Sequence, residues 1–221
     1  MDRWATFDCY GTLIDWNGGM LRALEPVAGD RAEALLGAYH AFELQVEAAS
    51  PHRRYRDVLV EALRLAARRE RLPLRSADET VLVEGWSGLP AFAEVPAALA
   101  SLRDDGWRLA VLTNCDDDLF RATQPALGVV PDEVVTAEQV RSYKPRLAHF
   151  EEFARRTGAA SDHWVHVANS WVHDIVPASR LGLPRVWVDR DRTGHDPSLA
   201  TEVLDDLGKL PDTLRRIVPP A

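Results

Sequence analysis

The sequence predicts an α/β protein: a doubly wound parallel sheet with helices on both faces and a helical block inserted after the first strand. Three observations predict it. Short apolar runs alternate with helical patterns along most of the chain, the pattern of a parallel sheet. Glycine and proline fall at the joints between them. The stretch from about Gly19 to Leu89 is helical in pattern and contains no convincing strand.

The elements follow in order. Trp4–Phe7, Leu109–Leu112, Trp164–Ala168 and Arg185–Val188 are each too short for a helix and carry β-branched or aromatic residues, so each reads as a buried strand. Val134–Val135 reads as part of a fifth. Helical patterns cover Val95–Asp105, Asp117–Leu127, Leu147–Thr157 and His173–Leu181, with Gly106, Gly128, Pro145, Gly158, Gly182 and Pro184 at the joints. The inserted block carries helical patterns at Met20–Leu24, Arg31–Ala49, Tyr55–Arg71 and Asp78–Trp86. The last segment, Leu199–Val218, reads as one or two closing helices. An insert after the first strand sits over the C-terminal end of that strand, where open α/β sheets bind ligands. The expected division is therefore a core of residues 1–15 and 90–221, with a helical cap over 16–89.

Composition narrows the function. At 221 residues, with 46% apolar and 27% charged residues, the chain is an ordinary globular one. A net charge of −8 argues against general nucleic-acid binding. The two cysteines, Cys9 and Cys115, are far apart, which argues against a zinc site or a disulfide framework and for a reducing compartment. MDRWATFDCY has no apolar signal segment, and no apolar run is long enough for a membrane span; the expectation is a cytoplasmic enzyme without membrane partners. The Arg-rich segment HRRYRDVLVEALRLAARRERLPLR reads first as a solvated helix face and second as a positive rim for a small anion.

Four polar stations lie at predicted strand ends: Asp8 after the first strand, Thr113 and Asn114 closing LAVLTN, Lys144 in SYKPR, and Asp174 beyond HWVHVANSWVH. Strand C-termini converge in a parallel sheet, so these groups are expected to face one another. Each also fits a structural role: Asp8 in a turn, Thr113 as a helix cap, Lys144 as a loop cation, Asp174 as a helix N-terminal charge. His163 and His166 flank a strand and would point to opposite faces, so HxxH is not read as a ligand pair. His173 adjoins Asp174 and is a second candidate for the site, whereas nothing near Cys115 marks it as a nucleophile.

With these stations in order, the sequence resembles the haloacid dehalogenase superfamily over nearly its whole length. FDCYGTL matches the first motif, LAVLTN the second, Lys144 in YKP the third and ANSWVHDIVPASRLG the fourth, and the helical block corresponds to the cap. The resemblance implies a Rossmann-like core and an Asp8 nucleophile that forms a covalent ester later cleaved by water. Lys144 would supply the countercharge, Thr12 and Thr113 hydroxyls and the Asn114 amide would orient carboxylate and substrate, and N–H groups of the Cys9–Gly11 turn would hold a developing oxyanion. Asn169 and Asp174 would orient the hydrolytic water.

The resemblance also separates two branches at Tyr10. Phosphatases of the superfamily carry an acid two residues after the nucleophile, because an alkoxide needs a proton to leave. A phenol with a pKa of about 10 is a poor substitute, while a halide leaves unprotonated. FDCYGTL therefore favours attack on carbon, as in the 2-haloacid dehalogenases. In that branch a cap arginine receives the halide; His40 falls at its place here. Phe150 stands where the family often has tyrosine, and Asn169 and Trp171 stand where it has serine and asparagine. The expectations are thus a hydrolase acting on a small anionic 2-haloacid or related carbon–halogen compound, with Tyr10, His40 and Trp171 contacting substrate. No cofactor is required, and a homodimer is permitted. The alternatives are a magnesium-dependent phosphatase, its metal on Asp8, Tyr10 and Asp174, and a catalytically silent binding protein.

Overall fold

A computed structural model describes residues 2–220. Strand β1 (Arg3–Phe7) is followed by a helical stretch: α1 (Trp16–Ala28), α2 (Ala32–Ala48), α3 (Tyr55–Arg69) and the short α4 (Val81–Glu84). The chain continues through α5 (Val95–Asp104), β2 (Trp107–Thr113), α6 (Asp117–Thr123), β3 (Glu133–Thr136), α7 (Ala137–Val140) and α8 (Ala148–Thr157). It closes with β4 (Trp164–Ala168), α9 (Val176–Arg180), β5 (Arg185–Val188), β6 (Glu202–Leu204) and α10 (Leu210–Ile217). The strands form one parallel sheet in the order β3-β2-β1-β4-β5-β6, a Rossmann-like α/β fold.

Alternation along the strands builds the two faces. Trp4, Ala110, Leu112 and Trp164 pack with Phe150 and Phe153 on one side. Ala5, Phe7, Val111, Val165 and Val167 pack into the other layer. Phe7 pairs with both Val111 and Val167, so the central strands end level and release their next residues at one edge. That edge is the switch point where the strand order reverses, the place an open α/β sheet leaves a crevice.

Several elements differ from the sequence reading. Helix α1 begins at Trp16 rather than Met20, because the Asp15 side chain accepts from Gly18 N at 3.0 Å and caps it. The Gly18-Gly19 pair weakens the helical signal, but Gly19 is needed there: a Cβ would meet Leu89 Cδ2 at 2.1 Å. Helix α6 gives way to a 3₁₀ turn at Gln124–Leu127, which contains Pro125. The expected helix at His173 begins as a π-turn, Trp171–Ile175, capped by Ser170. The segment expected to be only helical also contains β6, an edge strand of three residues with no buried member and so no apolar pattern to read.

The two passages between insert and sheet run side by side. Ile14 bridges Ala91, Asp15 N donates to Pro90 O at 2.8 Å, and Phe92 N donates to Leu13 O at 3.0 Å. Above them Trp86 packs against Trp16, Tyr10 and Tyr55, with ring centroids 5.0, 4.6 and 5.6 Å away. Several arginines of the Arg-rich segment are engaged in ion pairs. Arg54 and Arg56 meet Asp116 and Asp118, and Arg64 meets Glu79; none of these arginines lines the main cavity, so no positive rim forms.

Asp116 binds the insert through its backbone. Its carboxylate accepts from Tyr55 N at 2.9 Å and Arg56 N at 3.1 Å, satisfying the first N–H groups of α3 from across the chain. Asp116→Ala orphans both donors and is expected to cost about 2 kcal/mol in urea unfolding. Asp118→Ala, at a side chain 43% exposed, should cost under about 1 kcal/mol. Equal losses would show that the caps contribute nothing beyond the surface ion pairs.

Candidate active site

The level strand ends bring Asp8, Lys144 and Asp174 into contact. Asp8 leaves β1 and donates its own N–H to Val167 O at 3.1 Å, which fixes its backbone between β1 and β4. Its Oδ2 accepts from Thr12 Oγ1 at 2.7 Å and its Oδ1 from Lys144 Nζ at 2.9 Å. Thr12 can turn its hydroxyl hydrogen to Asp8 because its oxygen is already met by Asn169 N at 2.9 Å. Gly11, at φ 91°, makes this tight turn, and its N–H goes to Ile14 O at 2.8 Å. The expected oxyanion donor at Gly11 is therefore already spent, leaving the Cys9 and Tyr10 amides.

Lys144 is 1% exposed and uses all three of its donors: Asp8 Oδ1, Asp174 Oδ1 at 2.6 Å and Leu112 O at 2.8 Å. Burial opposes its charge, but Asp174 and Asp8 outweigh burial and raise the ammonium above its ordinary range. Asn114 holds the lysine's backbone, accepting from Lys144 N at 2.8 Å and donating to Lys144 O at 3.2 Å.

Asp174 is fully buried, and a chain of donors leads to it. Trp164 Nε1 donates to Thr6 Oγ1 at 2.7 Å, Thr6 meets His166 Nδ1 at 2.8 Å, and His166 Nε2 meets Asp174 Oδ1 at 3.0 Å. The carboxylate requires a donor at Nε2; in a neutral ring Thr6 then donates to Nδ1. Burial pushes the Asp174 carboxyl up, but Lys144 and His166 reverse this and hold it at about 2. Its Oδ2 is buried with no hydrogen-bond partner among the described residues.

A cavity of about 500 Å³ opens above this floor. Helix α2 supplies part of its roof. His40, Glu43 and Glu47 lie on one face at helical spacing, with His40 Nε2 3.0 Å from Asn17 Oδ1. Glu43 Oε1 accepts from Tyr39 Oη at 3.1 Å and from Tyr55 Oη. Glu47 is 7% exposed, and burial followed by the charge of Glu43 pushes its carboxyl well above the carboxylate range. His173 Nε2 is buried without a partner, 3.9 Å from Glu47 Oε2, and burial lowers its pKa.

The sequence-predicted residues Asp8, Thr113, Asn114, Lys144, Asn169 and Asp174 all line this cavity, as do Tyr10 and His40, while Thr12 acts from beneath through Asp8. Trp171 does not. It stacks on His195 at 5.1 Å and packs on Trp187 at 4.8 Å, turned outward by the π-turn, so it does not line the cavity as a substrate contact would require. Tyr10 presents its ring, but its hydroxyl points the other way. It lies 2.9 Å from Thr123 Oγ1 and accepts from Trp86 Nε1 at 3.0 Å. Thr113 lies at the end of β2 and does not cap α6, whose N-cap is Asp116. Cys115 is inert, its thiol pushed by burial to about 12. Residues not foreseen are Glu43, Glu47, His166 and Arg190. A histidine inside the apolar run WVHVA and two acids four apart on one helix face were the available signals.

Three comparisons describe what the chain is similar to. A family model described as haloacid dehalogenase-like hydrolase matches residues 3–182. The (S)-2-haloacid dehalogenase 4A of Burkholderia cepacia is 28% identical over 88% of this chain and 85% of its own length. A solved L-2-haloacid dehalogenase superposes with a TM-score of 0.85 at 25% identity, covering 97% of this chain and 99% of that one. A glyceraldehyde 3-phosphate phosphatase of Methanothermobacter thermautotrophicus is 30% identical over 57% of this chain and 59% of its own.

The Asp174 carboxyl titrates lower when folded than when unfolded, so its stabilisation is present above the unfolded pKa and is lost as pH falls toward the folded one. Urea midpoints of the wild type should therefore fall between pH about 4 and about 2, and Asp174→Asn should flatten that part of the profile. Lys144→Met leaves two buried carboxylates without their cation and should cost about 3–5 kcal/mol at neutral pH.

Proposed function

The chain belongs to the haloacid dehalogenase-like hydrolases, and from that membership we propose that it hydrolyses a carbon–halogen bond of a small molecule through an ester on Asp8. One observation carries this reading: the Tyr10 hydroxyl is turned into Thr123 and Trp86, so the position that would protonate a leaving alkoxide holds no acid facing Asp8. A halide needs none.

The steps follow from the contacts. An Asp8 carboxylate oxygen attacks the halogen-bearing carbon from behind, the carbon–halogen bond breaks with inversion, and the halide leaves with the electron pair. Thr12 and Lys144 hold the two carboxylate oxygens, which limits their rotation and pre-pays part of the ordering. Lys144 acts through Asp8 and Asp174, since its three donors are occupied. Water then attacks the ester carbonyl carbon, giving up a proton as it does so; the bond from that carbon to the substrate oxygen breaks, the departing alkoxide takes that proton and leaves as an alcohol carrying the original Asp8 oxygen, and the second water proton is lost to solvent as the Asp8 carboxylate re-forms. Asp174 Oδ2 and His173 Nε2, both buried and unpartnered, are the acceptors available to that water. The insert 16–89 serves in this proposal as the cap, and the residues 1–15 and 90–221 as the core. The (S)-2-haloacid dehalogenase relative supports a small haloacid-like substrate. Two free, buried cysteines support a reducing, cytoplasmic setting.

Magnesium on Asp8, Tyr10 and Asp174 does not fit the residues present. The Lys144 ammonium stands between the two carboxylates, bonded to an oxygen of each, and the Tyr10 oxygen is engaged elsewhere.

Halide release from chloroacetate, chloroacetamide and each enantiomer of 2-chloropropionate, with EDTA present, tests the reading. Asp8→Asn should lower release at least about a thousandfold, and Tyr10→Phe should stay within about threefold of wild type. Loss of turnover in Tyr10→Phe, or magnesium-stimulated phosphate release, would overturn it.

A further inference from the structure

Resting on that reading, we propose that Glu47 of helix α2 and His173 of the turn after β4 form an acid–base pair that moves the protons of Asp8 ester hydrolysis, with the helical insert supplying the acid and the sheet side the base.

The two half-reactions make different demands. A halide leaves without a proton, so the first needs none. The second breaks a carbon–oxygen bond: the attacking water must lose a proton and the departing alkoxide must gain one. Tyr10 meets neither need, because its hydroxyl is turned into Thr123 and Trp86. Lys144 has all three donors engaged. Asp174, held at about 2 by Lys144 and His166, is suited to orient a water through Oδ2 but is a weak base for its proton.

Glu47 and His173 meet at the cavity from opposite sides, and both line it. The π-turn that sends Trp171 outward keeps His173 inward. Its Nε2 is buried with no partner and stands 3.9 Å from Glu47 Oε2, beyond hydrogen-bond reach. A buried nitrogen without a partner is uncommon in a folded protein and marks a group kept open. Ser170 Oγ lies 3.1 Å from Nδ1 and accepts from His173 N at 3.2 Å. The ring proton belongs on Nδ1, donated to Ser170 Oγ, which leaves the Nε2 lone pair as the base.

The surroundings set the two groups in complementary states. Burial, the largest influence on the ring, favours neutral His173 over the opposing pull of Asp174, Glu43 and Asp8, and Lys144 acts with burial. Burial and then Glu43 favour protonated Glu47, and Lys144 and the Asn114 side chain oppose them without prevailing. One group rests with a proton to give and the other with a lone pair to receive one, the condition from which acid and base roles are assigned. In turnover, Nε2 takes a proton from the water as its oxygen bonds to the ester carbon. Glu47 gives its proton to the alkoxide as the bond from that carbon to the substrate oxygen breaks. The imidazolium then returns a proton to the Glu47 carboxylate, so the net transfer is from water to alcohol. The acid left on Asp8 loses the second water proton to solvent.

Rapid-quench turnover of the whole protein on the best substrate of the halide assay tests the pair, reading released halide and the mass of the Asp8 peptide together. His173→Gln should release one halide per active site within about threefold of the wild-type rate and then stall. Its ester hydrolysis should be slowed about a hundredfold or more, with the substrate residue retained on Asp8. Glu47→Gln keeps the shape but has no proton to give, and should stall at the same point by about tenfold or more. Ester hydrolysis within about threefold of wild type in either variant would overturn the proposal. So would equal slowing of halide release and ester hydrolysis, which a merely structural role would produce. These results leave the carbon–halogen reading standing, whereas a wild type that releases no halide removes that reading and the proposal with it.

Discussion

The rest of the site depends on where the Lys144 ammonium is held. It is buried, and a buried cation persists only when its donors are matched. Here they are matched by acceptors from three separate places: the turn after β1, the carbonyl of Leu112 in β2, and Asp174 beyond β4. One side chain thus ties together the neighbouring strand ends at the switch point of the sheet. It also sets which carboxylate does what. Asp8 is held in the cavity by Lys144 and Thr12, while Asp174, buried at the cavity floor, is held low in pKa by Lys144 and His166. Because the ammonium is saturated, its contribution is preorganisation rather than contact with substrate.

Much of this was legible in the sequence, and the reasons are physical. Parallel strands buried on both faces must be apolar runs, so β4 and β5 are found at their full lengths and β1 and β2 to within their ends. Strand ends converge, so polar residues just past them could be grouped before any coordinates. That logic reached Asp8, Asn114, Lys144 and Asp174, and extended past β5 it would have reached Arg190. It failed where direction matters. Trp171 sits in the right loop, but a π-turn rotates it onto Trp187 and His195. Tyr10 is the position at which the sequence reading separates two chemistries, but that its hydroxyl is tied to Thr123 and Trp86 depends on a distant helix and a distant turn. Edge strand β6 has no core-facing residue and left no apolar trace.

The roof was the least legible part. Helix α2 has apolar residues on more than one side, so its pattern says helix without saying which face meets the cavity. Glu43 and Glu47 are not singled out by the sequence reading; the structure puts the buried Tyr39 and Tyr55 hydroxyls on one of them and the His173 ring near the other.

The central claim is that Asp8 itself bonds to carbon, and isotopic oxygen tests it most directly. Turnover of a substrate that releases halide would be run in ¹⁸O-labelled water, and the peptide containing Asp8 read by mass spectrometry alongside the alcohol product. The account predicts that the first product carries unlabelled oxygen from Asp8, while the Asp8 carboxylate acquires the label. Label in the first product with none in Asp8 would mean that water attacks the substrate directly, and would contradict the account.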